Sequence, residues 1–404
     1  MLNPLSNAFG LDISDRSYKL AQLKKARGSS KYYLTALGSI EVPEGIMDQG
    51  NIIDQERAAA LVRELIKNTV GRVKGRGVVA CLPEAKTFIK IIDAPSGTTR
   101  REDLDQAVLK EIEQNIPLAK DEIYYDWQLV RGDEMVKSLQ VKPEQTADET
   151  ASAEQAKKGI PEINVTEEKN SELPPNEPEE NKILLGAAPK QMVDEYSAML
   201  DTAGLAPIAF EIEATAISRS VVPHTNSLSD AVGILDIGAT RSSLVIYDRG
   251  MIQMSISIPV AGTSITKTIS EKLRVGTEDA ETLKIECGLD STRCEDRIWT
   301  ILQPLIDDMV QKIRNALRFY KIGFPYGKNI EHLYVCGGGA QFREIDSVLS
   351  RKLTIKVDRA DSMINLQQPI PRKFRRESSL IYTTAIGLAI RAADESSRSM
   401  SRLR

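Results

Sequence analysis

Phe9-Gly10-Leu11-Asp12-Ile13-Ser14 and Gly233-Ile234-Leu235-Asp236-Ile237-Gly238 are each an apolar strand ending in Asp-Ile and a small residue. Strand-like sequence resumes after a short turn in both places. A chain that repeats a strand–turn–strand unit is expected to fold into two similar halves. An aspartate at each turn is what a nucleotide clamped between such halves requires. Turn amides meet phosphate oxygens, and each carboxylate holds a Mg²⁺-bound water.

The pattern around each repeat supports the duplication. In the first half, strand-like runs fall at about 8–13, 17–24 and 31–42, with Arg27-Gly28-Ser29-Ser30 as the clearest turn. A helix is predicted from an N-cap at Asp54 to Thr69, with Ala58, Leu61, Leu65 and Ile66 at helical spacing. Gly77–Leu82 reads as a further apolar strand, stopped by Pro83. The second half repeats the order, with strands at about 232–237, 241–248 and 251–260 and a hairpin turn at Asp248-Arg249-Gly250. A long helix near 296–320, a strand His332–Cys336, a helix near 340–352 and a last helix near 379–393 follow.

Residues 85–204 belong to neither copy. They read as strand, helix, strand, strand, helix, a small α+β subdomain of roughly ferredoxin-like kind. The expected division is 1–84 for the first half, completed by about 205–222 and 379–395, then 85–204 for the insertion and 223–378 for the second half. Inside the insertion, about 132–181 has no aromatic residue, five prolines and an excess of Asp and Glu over Lys. Such a stretch buries too little apolar surface to offset its ordering entropy, so disorder is expected there. Closing a loop of about 50 residues rather than about 4 costs only on the order of 2 kcal/mol more. The stretch reads either as a solvated hairpin extension or as a docking or regulatory tail.

Composition removes several function classes. A net charge of −4 argues against nucleic-acid binding. No run of eighteen or more apolar residues exists, and Met1–Asn7 lacks the basic start and apolar stretch of a signal peptide. Cys81, Cys287, Cys294 and Cys336 form no Cys-x-x-Cys and are expected as reduced thiols of a cytoplasmic protein. With His224 and His332 as its only histidines, the chain is a poor candidate for a zinc site or a histidine triad.

Four motifs carry candidate chemistry. At the first turn, Asp12 faces the metal's water shell, the amides of Ser14, Asp15 and Arg16 reach phosphate oxygens, and Lys19 supplies a positive charge. At the second, Asp236 is the other metal-facing carboxylate, and Gly238, Ala239 and Thr240 allow close backbone approach. Either turn taken alone also reads as an ordinary polar hairpin. Cys336-Gly337-Gly338-Gly339-Ala340, between a strand and a helix expected near Gln341, offers bare backbone to a flat base or a phosphate. The spacing is not Gly-x-Gly-x-x-Gly, and no Walker lysine follows. Glu281 and Lys284, three apart on one helix face, either reach a ribose and an adenine or form a plain surface ion pair.

Taken in order, these motifs resemble the actin-like ATPase superfamily, an α/β fold of duplicated actin-like (ribonuclease H-like) domains flanking a nucleotide cleft. Its first and second phosphate loops, adenosine-contacting helix and adenosine glycine loop find counterparts here. Ala209–Ala216 and Thr383–Ala389 look like the two connecting helices. Within the superfamily the chain resembles the PilM family of type IV pilus assembly, related to FtsA. That likeness rests on Gly10-Leu11-Asp12-Ile13-Ser14, on Ala187-Ala188-Pro189-Lys190 through Leu200-Asp201-Thr202-Ala203-Gly204-Leu205, and on Glu211-Ile212-Glu213. The resemblance implies ATP with Mg²⁺ as cofactors, weak or no hydrolysis, and Glu213 as the group that positions the attacking water. As partners it implies the N-terminal cytoplasmic tail of a PilN-like membrane protein, beside the inserted subdomain, and the pilus platform and motor proteins. The expected place is the cytoplasmic face of the inner membrane, held there through partners. This sequence departs from the family pattern at Ser14, where a glycine is usual, and in the long acidic insert.

Two alternatives share parts of this pattern. A cell-division scaffold of FtsA type is expected to end in an amphipathic membrane helix, whereas Glu395–Arg404 offers two apolar side chains and no aromatic anchor. A small-molecule kinase is expected to carry an aspartate base beside a closed pocket, where this chain places its extra subdomain.

Overall fold

The computed structural model describes residues 7–26, 28–97, 100–130, 181–224, 231–324, 327–374 and 376–402. The first repeat runs β1 (Phe9–Ile13), β2 (Ser17–Lys25), β3 (Tyr32–Glu41), the short pair β4 (Met47–Asp48) and β5 (Asn51–Ile52), α1 (Gln55–Asn68), β6 (Val70–Gly71) and β7 (Gly77–Leu82). The insertion contributes β8 (Phe88–Asp93), α2 (Arg101–Asn115), β9 (Ile123–Val130), β10 (Lys182–Pro189) and α3 (Lys190–Thr202). The first half closes with β11 (Ala206–Ile212) and α4 (Glu213–Val221). The second half is β12 (Val232–Ile237), β13 (Ser242–Asp248), β14 (Met251–Ile258), α5 (Gly262–Leu273), α6 (Thr277–Cys287), α7 (Arg297–Gly323), β15 (His332–Cys336), α8 (Ile345–Leu353) and β16 (Lys356–Arg359). Helix α9 (Thr383–Arg402) then returns to the first half.

The duplication is visible in the strand order. One sheet reads β11-β7-β1-β2-β3-β6 and the other β16-β15-β12-β13-β14. Each is an antiparallel meander of three strands with two parallel strands added beside the first. β1 and β12 are buried along their whole length, which is why both read as unbroken apolar runs rather than alternating ones. Local signals agree with these elements. The Asp54 side chain accepts from the Arg57 amide at 3.0 Å and caps α1, which buries Ala58, Leu61, Val62 and Leu65.

Ala214, Ile217 and Val221 of α4 pack into the second half's core while Ala385, Ile386 and Ala389 of α9 pack on the first sheet, so the halves meet where these helices cross. A Cβ at Gly387 would stand 1.8 Å from the Ala216 carbonyl oxygen, so only glycine lets the two backbones approach this closely. Glu211, buried at the end of β11, accepts from Arg219 on α4 and Arg391 on α9 and ties both helices to the sheet. Two arginines beside it hold its carboxyl below the usual range, outweighing the effect of burial.

The inserted sheet has the order β8-β10-β9, antiparallel throughout, with its own core of Leu104, Val108, Ile112, Ile183 and Leu185. Although α3 follows directly, its Met192, Tyr196, Met199 and Leu200 pack into the first half's core with Leu11, Val62 and Leu65. Apart from Asn181, the acidic stretch of about 132–181 lies outside the described residues.

Three expectations need correcting. Cys287 and Cys294 are joined in a disulfide, Cα atoms 5.9 Å apart, while Cys81 and Cys336 are free and buried. Turn bonds from the Asp290 amide to the Cys287 carbonyl and from the Arg293 amide to the Asp290 carbonyl fold this short loop back on itself. The helix expected at 340–352 starts only at Ile345, because Gly338–Gln341 forms a 3₁₀ turn and Glu344 takes a left-handed backbone. The last helix starts at Thr383 rather than 379, after a 3₁₀ segment Arg376–Tyr382.

Candidate functional site

The two repeat turns open into one cavity of about 400 Å³. Asp12, Ser14, Asp15, Arg16 and Lys19 line it from the first half, and Asp236, Gly238, Ala239 and Thr240 from the second, with Glu213, Gly337 and Gly338. The fold explains the convergence. Asp12 and Asp236 end equivalent central strands, and the turns after them face the same gap between the sheets.

The two halves match in register down to single residues. Asp12 accepts from the Cys81 thiol at 3.4 Å, and Asp236 from the Cys336 thiol at 3.5 Å. Both cysteines stand on the parallel neighbour strand, and burial followed by the adjacent aspartate pushes their thiols up. On the antiparallel side the symmetry breaks, because Asp12 pairs with Lys19 and Asp236 with Ser243. Lys19 donates to Asp12 at 3.1 Å. Burial pulls the Lys19 ammonium down, and the Asp12 charge and hydrogen bond outweigh it, so the lysine stays charged.

Asp236 has no such lysine. Burial pushes its carboxyl up to about 6, with the Asp12 charge adding to the rise and the Cys336 hydrogen bond and Lys19 opposing it. Glu213, at the start of α4, is driven well above the usual carboxylate range by burial and then by Asp236, Asp12 and Glu84. Its only hydrogen-bond donor among the described residues is Thr384, at 3.5 Å. The cavity thus gathers carboxylates that lack enough positive charge. A divalent cation would offset part of that charge.

The turns themselves are held by backbone bonds. Gly238 donates to the Arg241 carbonyl at 3.0 Å, and the Gly262 and Thr263 amides at the start of α5 donate to the Gly238 and Ala239 carbonyls. Asp15 accepts from the Gly50 amide at 2.7 Å and from Thr240 at 3.2 Å, so the first turn is bonded to the second. Ser14 is spent on the Ser17 carbonyl at 2.7 Å. Gly337, at φ 79°, leaves bare backbone beside Asp236, where a Cβ would stand 2.5 Å from Oδ1. Of the groups lining the cavity, the Arg16, Lys19 and Arg241 side chains are the ones that fit a polyanion.

Three expected contacts lie outside the cavity lining. A Cβ at Gly339 would meet Ile237, so this glycine serves packing. Glu281 and Lys284 pair at 2.7 Å and both bond Thr266 of α5, which turns them toward the α5–α6 contact. Sequence reasoning in turn missed Glu84, Ser243, Thr383 and Thr384, which do line the cavity. The register that brings Ser243 opposite Asp236 was legible from the hairpin; the approach of Glu84 from the turn after β7 was not. Among the described residues no three metal-ligating side chains converge, and no helix is long and apolar enough to cross a membrane. A cation here would be held through water and phosphate oxygens.

A family model for the type IV pilus assembly protein PilM matches residues 10–142 and 162–393. Among solved structures, a PilM–PilN type IV pilus biogenesis complex is 21% identical, covering 96% of this chain and 99% of that one, with a TM-score of 0.71. A diol dehydratase-reactivating factor in nucleotide-free form is 12% identical, covering 96% and 100%, at 0.50. The ethanolamine utilization protein EutJ from Carboxydothermus hydrogenoformans is 14% identical, covering 96% and 92%, at 0.49. At such identities the first of these likenesses speaks for the fold alone, the duplicated actin-like architecture.

Proposed function

We propose, from the premise that this chain belongs to the PilM family of type IV pilus assembly proteins, that it is an ATP-binding scaffold of the pilus assembly platform. The observation that carries the nucleotide reading is the convergence of both repeat turns, with Asp12 and Asp236, on one cavity. Mg²⁺, when bound with ATP, would neutralise phosphate charge and draw on the two aspartates through its waters. The backbone of Gly238 to Thr240 and of Ser14 to Arg16 orients the phosphates, and Gly337 and Gly338 leave room for the nucleoside. Lys19 donates to Asp12 and places a positive charge beside it.

Glu213 is the candidate for positioning a water. Burial first, and then the neighbouring carboxylates, raise its affinity for the proton, so added positive charge would make it the better base. That dependence favours a nucleotide that is held and rarely cleaved. Bound to both halves at once, it stabilises their closed arrangement.

The partner is the N-terminal cytoplasmic tail of a PilN-like membrane protein, which brings the chain to the inner face of the membrane alongside the pilus platform and motor proteins. The support is family membership, which favours pilus assembly over the division-scaffold and kinase readings. Calorimetric titration with Mg·ATP tests the cleft, and absence of binding sinks that part. A synthetic PilN-type tail should slow hydrogen exchange in the inserted subdomain; no slowing anywhere would remove the partner.

A further inference from the structure

Three serines share one face of the second sheet. Ser243 stands opposite Ser257 in the β13–β14 register, and Ser255 lies two residues from Ser257 on the same side. Into this face reaches Glu84, the first residue of the 3₁₀ turn Glu84–Lys86 that leads from β7 into the inserted subdomain. One oxygen of Glu84 accepts from the Ser255 hydroxyl. Its Oε2 and the Ser243 hydroxyl are both buried and make no hydrogen bond.

Glu84 also belongs to two cavities. It lines the large cleft with Ser243 and Glu213. It lines as well a smaller cavity of about 220 Å³ with Ile89, Leu185, Ser255 and Ser257, where the inserted sheet covers β14. Ile89 of β8 packs there on the second half's core. β14 is the outermost strand of its sheet, so this cover shields an otherwise open edge.

We propose that Glu84 is a latch between the inserted subdomain and the second half, with the serine face of β13 and β14 as its socket, so that the seating of the inserted sheet follows the spacing of the two halves. The physical reason is that a buried carboxylate is stable only while donors surround it. When the halves part, the Ser255 donor withdraws and water must replace it. The element therefore has two settled states, in the socket or in solvent, rather than a continuous range.

The test is hydrogen exchange on the full chain without ligand. Glu84→Ala and Ser255→Ala should each speed exchange in 251–258 and 88–93 by about tenfold, the loss of a hydrogen bond to a charged group, and leave β1 and β12 unchanged. Glu84→Gln retains an acceptor and should stay near the parent. Ser255→Ala removes a single hydroxyl, so it tests the latch even if Glu84→Ala fails to fold. Unchanged exchange in both segments for folded Glu84→Ala and Ser255→Ala overturns the latch. A further arm, which rests on the cleft reading above, adds Mg·ATP. Slower exchange at 88–93 in the parent and not in Glu84→Ala supports the latch, and nucleotide binding in the parent with no change there counts against it. Absence of nucleotide binding overturns the cleft reading alone and leaves the latch to the ligand-free comparison.

Discussion

Asp236 costs the ligand-free protein stability because its charge is buried without a lysine of its own. Its carboxyl titrates at about 6 when folded, against about 3.9 for a free aspartate. The folded state therefore holds this proton more tightly than the unfolded chain. The contribution is complete below about pH 4 and lost as pH rises through about 6. Asp236→Asn should accordingly raise ligand-free stability at pH 7 by on the order of 1–3 kcal/mol. The gain over the parent should grow between pH 4 and 6 and level off above, which denaturant titrations at stepped pH would read. Asp236→Ala should abolish Mg·ATP binding in calorimetry, and an unchanged affinity would end the two-turn account. The repeat made both aspartates legible in the sequence. Cys81 and Cys336 were not legible as their partners, because a thiol so far along the chain becomes a neighbour only through parallel pairing.

Among the elements, α4 and α9 carry the joint between the halves. Their sequences show small residues but not that Gly387 sits on the Ala216 carbonyl. Gly387→Ala must push two backbones apart, and a loss of about 2–3 kcal/mol is expected from urea midpoints. Asp54→Ala, by contrast, removes one cap from α1 and should cost about 1 kcal/mol. Period and capping chemistry placed α1, β7, β12 and β15 correctly because these elements answer to local rules. The helix after the glycine run started late because Gly339 folds onto Ile237 in a 3₁₀ turn, a contact between segments far apart in the chain. The Cys287–Cys294 bond escaped for a related reason. Spacing alone does not say whether a short loop turns back.

For the whole molecule, the acidic insert leaves and returns at one place, since Lys182 pairs with Val130 at the end of the inserted sheet. Deleting about 135–178 should therefore shift the melting temperature by less than about 3 °C in a thermal scan. A drop of many degrees would show that the segment supports the core. Mg·ATP at a hundredfold excess over its dissociation constant should add about 2.7 kcal/mol, through contact with both halves. Equal addition to a variant with one turn destroyed would show that a single half suffices.

What the sequence determined alone is the duplication, the succession of strands along each copy, and the two aspartates that end equivalent strands. Those follow from short-range apolar pattern and turn chemistry, which each segment carries with it. Only the tertiary structure decided which side chains share the cleft. It brought Glu84 to a serine face on the other half, joined Glu281 and Lys284 through Thr266, and gave α3 to the first half's core. Such choices depend on how rigid layers meet, and distances between layers are not written in the spacing of residues along one strand.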